Sequence, residues 1–169
     1  MVRKIVQFDK NKVLREKAQK VPLEDIGAKK IKSVIQDMKI ALKRELDGVA
    51  IAAPQIGVAL RIFVVSGRAF AVMKGEDEIE DKYPDMVFIN PVIQKISRKK
   101  IEIDEGCLSV RGKYGKVRRA EKTTVSAYDE NGNKFTYGAS GLLSQIFQHE
   151  TDHLEGVLFI DKAKSLEEI

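Results

Sequence analysis

Apolar residues at intervals of three and four predict two amphipathic helices, one early in the chain and one near its end. The first is predicted from Ile26 to Leu46, with Gly48 as a stop signal after it. Its apolar positions are Ile31, Val34, Ile35, Met38, Ala41, Leu42 and Leu46. The second covers residues 140–154, where Ser140 is a suitable N-cap and Gly156 a suitable terminator.

Between and after these helices, the sequence is rich in strand-forming residues. The predicted strands are residues 60–65, 69–73, 86–96, 99–103, 123–128, 134–137 and 157–160. Asn131-Gly132 lies between two of these runs and is a strong hairpin signal, whereas the acidic residues 74–85 predict a solvated loop. The pattern predicts an α+β fold, with mostly antiparallel sheets around the second helix and with the first helix N-terminal to them. We expect a single domain over residues 1–169.

Composition and charge exclude several classes of protein. Lys+Arg number 30 and Asp+Glu 25, so the formal net charge is +5, and one cysteine excludes an internal disulfide framework. The charges are spread along the chain, which favours solubility over a nucleic-acid or membrane surface. The most apolar stretch, residues 48–65, is interrupted by Pro54, Gln55 and Arg61, so it is not a membrane span. With no signal peptide evident, we expect a cytoplasmic protein without a membrane or DNA partner.

The second predicted helix carries an H-E-x-x-H pattern, His149-Glu150-Thr151-Asp152-His153. Residues four apart share one helix face, with Cβ atoms about 5–6 Å apart, so two imidazoles can bind one metal ion. Glu150 follows the first ligand and can reach a water on that metal. An ordinary polar helix face is the alternative, but the flanks are apolar and both histidines of the chain lie here.

A catalytic metal site of this kind needs a third protein ligand and an open position for water. The chain has no third histidine; Glu155 is too near in sequence, and Glu167 and Glu168 lie in a short tail. Cys107 is the remaining soft ligand, and Gly106 before it permits close backbone approach. A lone cysteine is also commonly a buried small hydrophobe, so these residues leave both roles open for Cys107.

Three stretches together resemble the peptide deformylases, in that family's order and at about its spacing. They are Gly48-Val49-Ala50-Ile51-Ala52-Ala53-Pro54-Gln55-Ile56-Gly57, Glu105-Gly106-Cys107-Leu108-Ser109 and Gln148-His149-Glu150-Thr151-Asp152-His153-Leu154-Glu155-Gly156. The resemblance extends to Leu14-Arg15 and to residues 156–161, so it covers nearly the whole chain. It implies hydrolysis of the N-formyl group from the formyl-methionine of nascent polypeptides.

The resemblance also implies a role for each residue of the site. The metal ligands would be Cys107, His149 and His153. The ion would be one divalent metal, with ferrous iron first and zinc, nickel or cobalt as other occupants. Glu150 would be the general base, and the Gln55 side-chain amide and the Leu108 backbone N–H would be donors to the oxyanion.

For the substrate, the resemblance implies an apolar methionine pocket and backbone pairing with an extended chain. The pocket residues would be Val49, Ile103, Leu142 and Ile146. The substrate backbone would pair near Val49, Ala50 and Ile51 on one side and near Gly106 on the other. Arg119 would pair with Glu105 and support the Cys107 loop; the alternative is a surface arginine in a basic run.

Three features depart from the family's pattern. Ala50 stands where the family usually has glycine, and its methyl group predicts an altered or slower fit of the substrate. Arg111 stands where proline is common, so the turn there should be less fixed and a charge should lie near the cleft rim. Residues 165–169 are too few for the C-terminal helix by which several members dock on the ribosome. We therefore expect only weak ribosome contact, through the basic surface.

Two other functions stay open at this point. The H-E-x-x-H pattern also occurs in metal-dependent peptidases, although a suitable third histidine or glutamate ligand is absent. A metal-free binding protein with a deformylase-like fold is the second alternative, although every proposed catalytic group is present.

Overall fold

The computed structural model describes residues 3–76 and 82–169, in which two antiparallel sheets surround a central helix. In these ranges the helices are α1 (Lys29–Lys43), α2 (Gly67–Met73), α3 (Gly141–Leu154) and α4 (Phe159–Lys162). The strands are β1 (Ala50–Ala52), β2 (Ile62–Val65), β3 (Met86–Ile96), β4 (Lys100–Cys107), β5 (Val110–Ala120), β6 (Lys122–Tyr128), β7 (Lys134–Ser140) and β8 (Leu166–Glu168). One sheet has the order β1-β2-β3-β6-β7, the other β4-β5-β8. The predicted α+β fold is confirmed; of the predicted acidic loop, residues 77–81 lie outside the described residues.

Helix α1 buries the apolar stripe that its spacing predicted. The buried positions are Ile31, Val34, Ile35, Met38, Ala41 and Leu42. They form one cluster with β1 and β2, including Ile51 and Val64. The predicted extension to Leu46 was wrong, because the helix ends at Lys43 and Leu46 is 89% exposed. The Glu45 N–H bonds to the Leu42 carbonyl, three residues back, and this tighter turn leads the chain out of the helix.

Two predicted strands are helical instead. Residues 69–73 belong to α2, where the Ser66 hydroxyl accepts from the Arg68 N–H and the Asp85 carboxylate accepts from the Gly67 N–H. Residues 157–160 lead into α4, where the Leu158 N–H donates to the Asp161 carboxylate. Both runs are short and apolar, so their periodicity did not distinguish helix from strand, and the capping bonds favour the helix.

Strand β5 was not predicted, and it forms with β4 a hairpin that is inserted between β3 and β6. The ends of this hairpin meet at one place. The Ser97 N–H donates to the Lys122 carbonyl at 2.9 Å, and the Glu121 N–H donates to the Lys99 carbonyl at 3.1 Å. Strands β3 and β6 still pair with each other, so the hairpin leaves the five-stranded sheet and returns to it. Its tip carries Cys107.

Helix α3 begins and ends where the sequence predicted. Ser140 occupies the N-cap position, and Gly156 has a positive φ of 75° just beyond the last turn. The buried face of α3 places Phe147 against Phe63 and Phe88 of the five-stranded sheet. Its C-terminal half reaches the inserted hairpin, so α3 connects the two sheets. Among the described residues, no helix has the length and apolar character needed to cross a membrane.

Candidate metal centre and active-site cleft

The two histidines of α3 and the cysteine at the hairpin tip lie together. One helical turn separates His149 from His153, and their ring centroids are 4.9 Å apart. The Sγ atom of Cys107 lies 3.3 Å from Nε2 of His153. One ligand atom from each of the three residues lies within 4.8 Å of the others. The structure therefore brings the three predicted metal ligands into one cluster.

The chemistry of this cluster fits a divalent transition metal. A thiolate and two imidazoles are borderline-to-soft donors, and three protein ligands leave a fourth position for water or substrate. His153 is 1% exposed, and burial in an apolar protein interior lowers its pKa well below the ordinary value, with the neighbouring His149 charge acting in the same direction. A neutral imidazole is the form that binds a metal.

A buried ion pair holds the first histidine of the cluster. The Glu105 carboxylate accepts from Nδ1 of His149 at 3.2 Å and from Arg119 at 2.8 Å. Arg119 is 2% exposed and also donates to Asp152 at 2.7 Å. The predicted pairing of Arg119 with Glu105 is confirmed, and Arg119 is not a surface residue. The contacts to His149 and Asp152 were not predicted.

This network sets the charge state of its members. Burial would raise the pKa of Glu105, but hydrogen bonds from His149 and Arg119 lower it below the ordinary value. Burial would likewise lower the pKa of His149, but its hydrogen bonds to Cys107 and Glu105 raise it well above the ordinary value. The Glu105 carboxylate therefore stays ionised and fixes the orientation of the His149 ring.

Glu150 is a buried carboxyl group that lines the cleft. It is 4% exposed, and its Oε2 atom accepts no hydrogen bond from the described residues. Burial raises the pKa of the Glu150 carboxyl to about 7. A carboxyl group with a pKa near neutrality can both take and return a proton.

Gln55 faces the same cluster from a 3-10 turn over Ala53–Ile56. Its side-chain oxygen accepts from the Ala52 N–H at 2.9 Å. The NH₂ group consequently points the other way, 3.6 Å from the Cys107 sulfur and 3.2 Å from the Ser109 hydroxyl. The amide thus caps its own turn and also presents a donor to the cluster.

The cluster lies at the bottom of a cleft with a volume of about 360 Å³. Of the predicted site residues, the cleft is lined by Val49, Ala50, Gln55, Gly106, Cys107, Leu108, Leu142, Ile146, His149 and Glu150. Ile51, Ile103 and His153 are not among the lining residues, and His153 is 1% exposed. Ile51 is fully buried in the cluster beneath α1, and Ile103 is half-buried on β4.

Two further features of the cleft were not predicted. The Tyr114 ring lies over Gly106, where a Cβ atom would come within 2.8 Å of it, so a larger residue at this position would displace the ring. Arg111, whose charge was expected at the rim, lines the cleft and makes a two-pronged ion pair with Glu45, which follows α1. The alternation of side chains along a strand could have indicated that Tyr114 lies near the cleft. No sequence pattern near Glu45 indicates that Arg111 is its partner.

Comparisons with known proteins agree on one family. A model of the polypeptide deformylase family matches residues 2–168. Peptide deformylase 1 of Clostridium perfringens is 41% identical over 156 residues, which cover 92% of this chain and 95% of that protein. Peptide deformylase 1A of Arabidopsis thaliana is 43% identical over 155 residues, covering 89% of this chain and 57% of the plant protein. The chain likewise spans 56% of the length of a Solanum lycopersicum relative.

Solved structures have the same fold. The crystal structure of a peptide deformylase from Legionella pneumophila matches with a TM-score of 0.82 and 37% identity, covering 97% of this chain and 87% of that one. A peptide deformylase from Synechococcus elongatus in complex with actinonin matches with a TM-score of 0.78 and 33% identity, covering 95% of this chain and 78% of that one.

Proposed function

Since this chain belongs to the polypeptide deformylase family, we propose that it hydrolyses the N-formyl group from the formyl-methionine of newly made polypeptides and releases formate. The observation that carries the proposal is the cluster at the bottom of the cleft. The ligand atoms of Cys107, His149 and His153 lie within 4.8 Å of one another, and Glu150 lines the same cleft. The Cys107 thiolate would take the place that a third histidine or glutamate has in metal-dependent peptidases.

The three ligands would hold one divalent metal ion, with ferrous iron first and zinc, nickel or cobalt as alternatives. The bound ion would lower the pKa of a water molecule and polarise the formyl oxygen. Membership of the family supports a metal-dependent reaction, and the donor set of one thiolate and two imidazoles suits each of these ions.

The chain's own residues supply the proton transfers and the stabilisation of charge. Glu150 takes a proton from the attacking water as the oxygen bonds to the formyl carbon. It returns that proton to the methionine nitrogen as the carbon–nitrogen bond breaks, which leaves a free amine and formic acid, and the acid then loses its proton to give formate. The Gln55 NH₂ group and the Leu108 N–H donate to the oxyanion of the tetrahedral intermediate.

The walls of the cleft suit an extended chain that begins with methionine. Val49, Leu142 and Ile146 line the cleft and form the apolar pocket. Ala50 lies on β1, an edge strand of the five-stranded sheet, and Gly106 lies on β4 across the cleft. The substrate backbone would run between these two strands. We infer one catalytic domain over residues 1–169, a cytoplasmic location, and weak salt-sensitive contact with the ribosome.

The test is formate release from a formyl-Met tripeptide by anaerobically purified protein loaded with ferrous iron or nickel. We expect turnover by the parent and at least a hundredfold loss in Glu150→Gln, which keeps the shape of the side chain but cannot accept the proton. Glu16→Gln, an exposed change of the same kind, should retain the parent rate. No formate from folded, metal-loaded parent would overturn the proposal, as would full activity in Glu150→Gln.

A further inference from the structure

The N-terminal segment of residues 5–8, here called the arm, runs between two turns that face the cleft. The Val6 N–H donates to the Gln55 carbonyl at 2.8 Å, and the Phe8 N–H donates to the Ser109 carbonyl at 3.0 Å. The first bond holds the turn that carries the Gln55 amide. The second holds the tip of the β4–β5 hairpin. The arm therefore fixes the position of one turn relative to the other.

Gln7 lies between these two bonds and uses its side chain on the hairpin tip. Its Nε2 donates to the Leu108 carbonyl at 3.0 Å, and its Oε1 accepts from the Arg111 N–H at 3.5 Å. The side-chain amide thus bonds to one backbone group within the turn and to another on the strand that follows it. Together with the bond from Phe8, these contacts restrict rotation of the peptide units around Leu108.

The hairpin tip depends on such support. Leu108 and Ser109 form a two-residue turn between the paired residues Cys107 and Val110. Two-residue turns that match the twist of the strands, types I′ and II′, require a positive φ in the turn. In the described part of the chain, Asn90 is the only non-glycine residue with a positive φ. The turn is therefore of neither type, and its backbone fits the twist of the two strands poorly. The arm restrains it by donating hydrogen bonds to the carbonyls of both turn residues, Leu108 and Ser109.

We propose that Gln7 is a positioning residue. Its side-chain amide holds the Leu108–Ser109 peptide unit and so limits rotation at the Leu108 Cα, which keeps the adjoining Leu108 N–H and the Gln55 NH₂ group converging on one point of the cleft. This proposal rests on the proposed function, in which both groups donate to the oxyanion. Gln7 is not among the residues that line the cleft, so it acts through the turn. A misplaced donor weakens binding of the oxyanion more than binding of the substrate, so the effect falls on kcat rather than on KM.

Four variants measured with the formyl-Met tripeptide test this role. Gln7→Ala removes the amide, and Gln7→Glu keeps its length but removes the donor to Leu108. Each should lower kcat about tenfold, which corresponds to about 1.4 kcal/mol or one hydrogen bond, with KM within about twofold of the parent. Gln7→His places an N–H at similar reach and should recover most of the lost kcat. Gln19→Ala, at an exposed glutamine whose backbone bonds are unaffected, is the matched control and should equal the parent.

A second readout does not depend on turnover. The cobalt-loaded proteins are titrated with acetohydroxamate, whose anionic oxygen stands in for the oxyanion, and binding is followed by visible absorption. The dissociation constant should rise about tenfold in Gln7→Ala and Gln7→Glu and stay unchanged in Gln19→Ala. All variants should bind one cobalt ion per chain.

The outcomes separate this proposal from the proposed function. If the parent releases no formate, the proposed function fails, and the acetohydroxamate titration alone decides the role of Gln7. Values of kcat and the dissociation constant within twofold of the parent would overturn the positioning role. So would a fall in kcat that matches lost cobalt or lost folded protein, because that would indicate a merely structural residue.

Discussion

Replacing Arg119 with methionine should destabilise the protein by about 3–5 kcal/mol, the usual cost of breaking a buried ion pair from one side. Arg119 is 2% exposed and lies 2.8 Å from the Glu105 carboxylate and 2.7 Å from that of Asp152. Methionine keeps most of the apolar stem but not the charge. Glu105, only 5% exposed, would then be a buried carboxylate without its guanidinium partner.

The two carboxylates do not share this loss equally. Asp152 keeps Lys162 at 3.0 Å, whereas Glu105 keeps the His149 contact at 3.2 Å. The Glu105 side chain is only 4% exposed, whereas that of Asp152 is 19% exposed. Water can therefore compensate Glu105 less, and most of the cost arises there. Adding Glu105→Gln to Arg119→Met removes the uncompensated charge and should recover at least about 1 kcal/mol relative to the single variant.

Urea unfolding in the presence of a chelator measures these differences without a contribution from metal binding. Arg118→Met is the matched control, because Arg118 precedes Arg119 on β5 but is exposed; its loss should stay within about 0.5 kcal/mol. The reasoning is refuted if Arg119→Met lies within about 1 kcal/mol of this control. It is also refuted if the double variant is less stable than the single one.

Three further predictions concern other parts of the chain. Ala50→Gly removes a methyl group from the cleft wall and should raise kcat/KM a few-fold in the formate assay; equal kinetics in both proteins would contradict the expected slower fit. Gly156→Ala should cost at least about 2 kcal/mol in urea unfolding, because its Cβ would lie 2.5 Å from the Arg15 carbonyl, whereas Gly57→Ala, with open space at a similar φ, should cost only about 1 kcal/mol. A hydrogen bond from Arg15 lowers the pKa of Asp161 below 3.8, so this partly exposed pair stabilises the fold above that pH and the effect fades as the pH falls through the lowered value. Arg15→Met should therefore cost about 0.5 kcal/mol near pH 6 and less near pH 2, and an equal loss at both would count against the pairing.

The sequence predicted elements well where apolar spacing continued over many residues. Helices α1 and α3 have long amphipathic stripes, and β3 was predicted with the bounds that it has. The prediction failed where the apolar runs were short, as in α2 and α4, because a few apolar residues fit either period and hydrogen bonds to capping side chains decide between them. Strand β5 was missed because its buried positions include Gly115 and Arg119, so its alternation resembles a basic run rather than an apolar face.

For the site, spacing along one helix predicted the pair of histidines, and the family resemblance added Cys107. The geometry around them could not be predicted, since it depends on contacts between distant parts of the chain. Gln7 bonds to a carbonyl 101 residues away, and no pattern near Gln7 indicates that partner. The Ile51 side chain lies in the core cluster beneath α1, so the pairing with substrate that the motif predicts for this residue would involve its backbone alone.

The inserted β4–β5 hairpin has a consequence for how this centre can diversify. The sulfur donor lies on a segment that leaves and rejoins the five-stranded sheet at one place, between Ser97 and Lys122, whereas both nitrogen donors lie on the core helix. Lengthening, shortening or replacing the hairpin tip therefore alters one ligand without shifting the register of β3 against β6. The proposed thiolate ligand can therefore be exchanged without moving the two imidazoles as long as Glu105, which holds His149 from the same strand, is kept, while a change to α3 disturbs proposed ligands and core together.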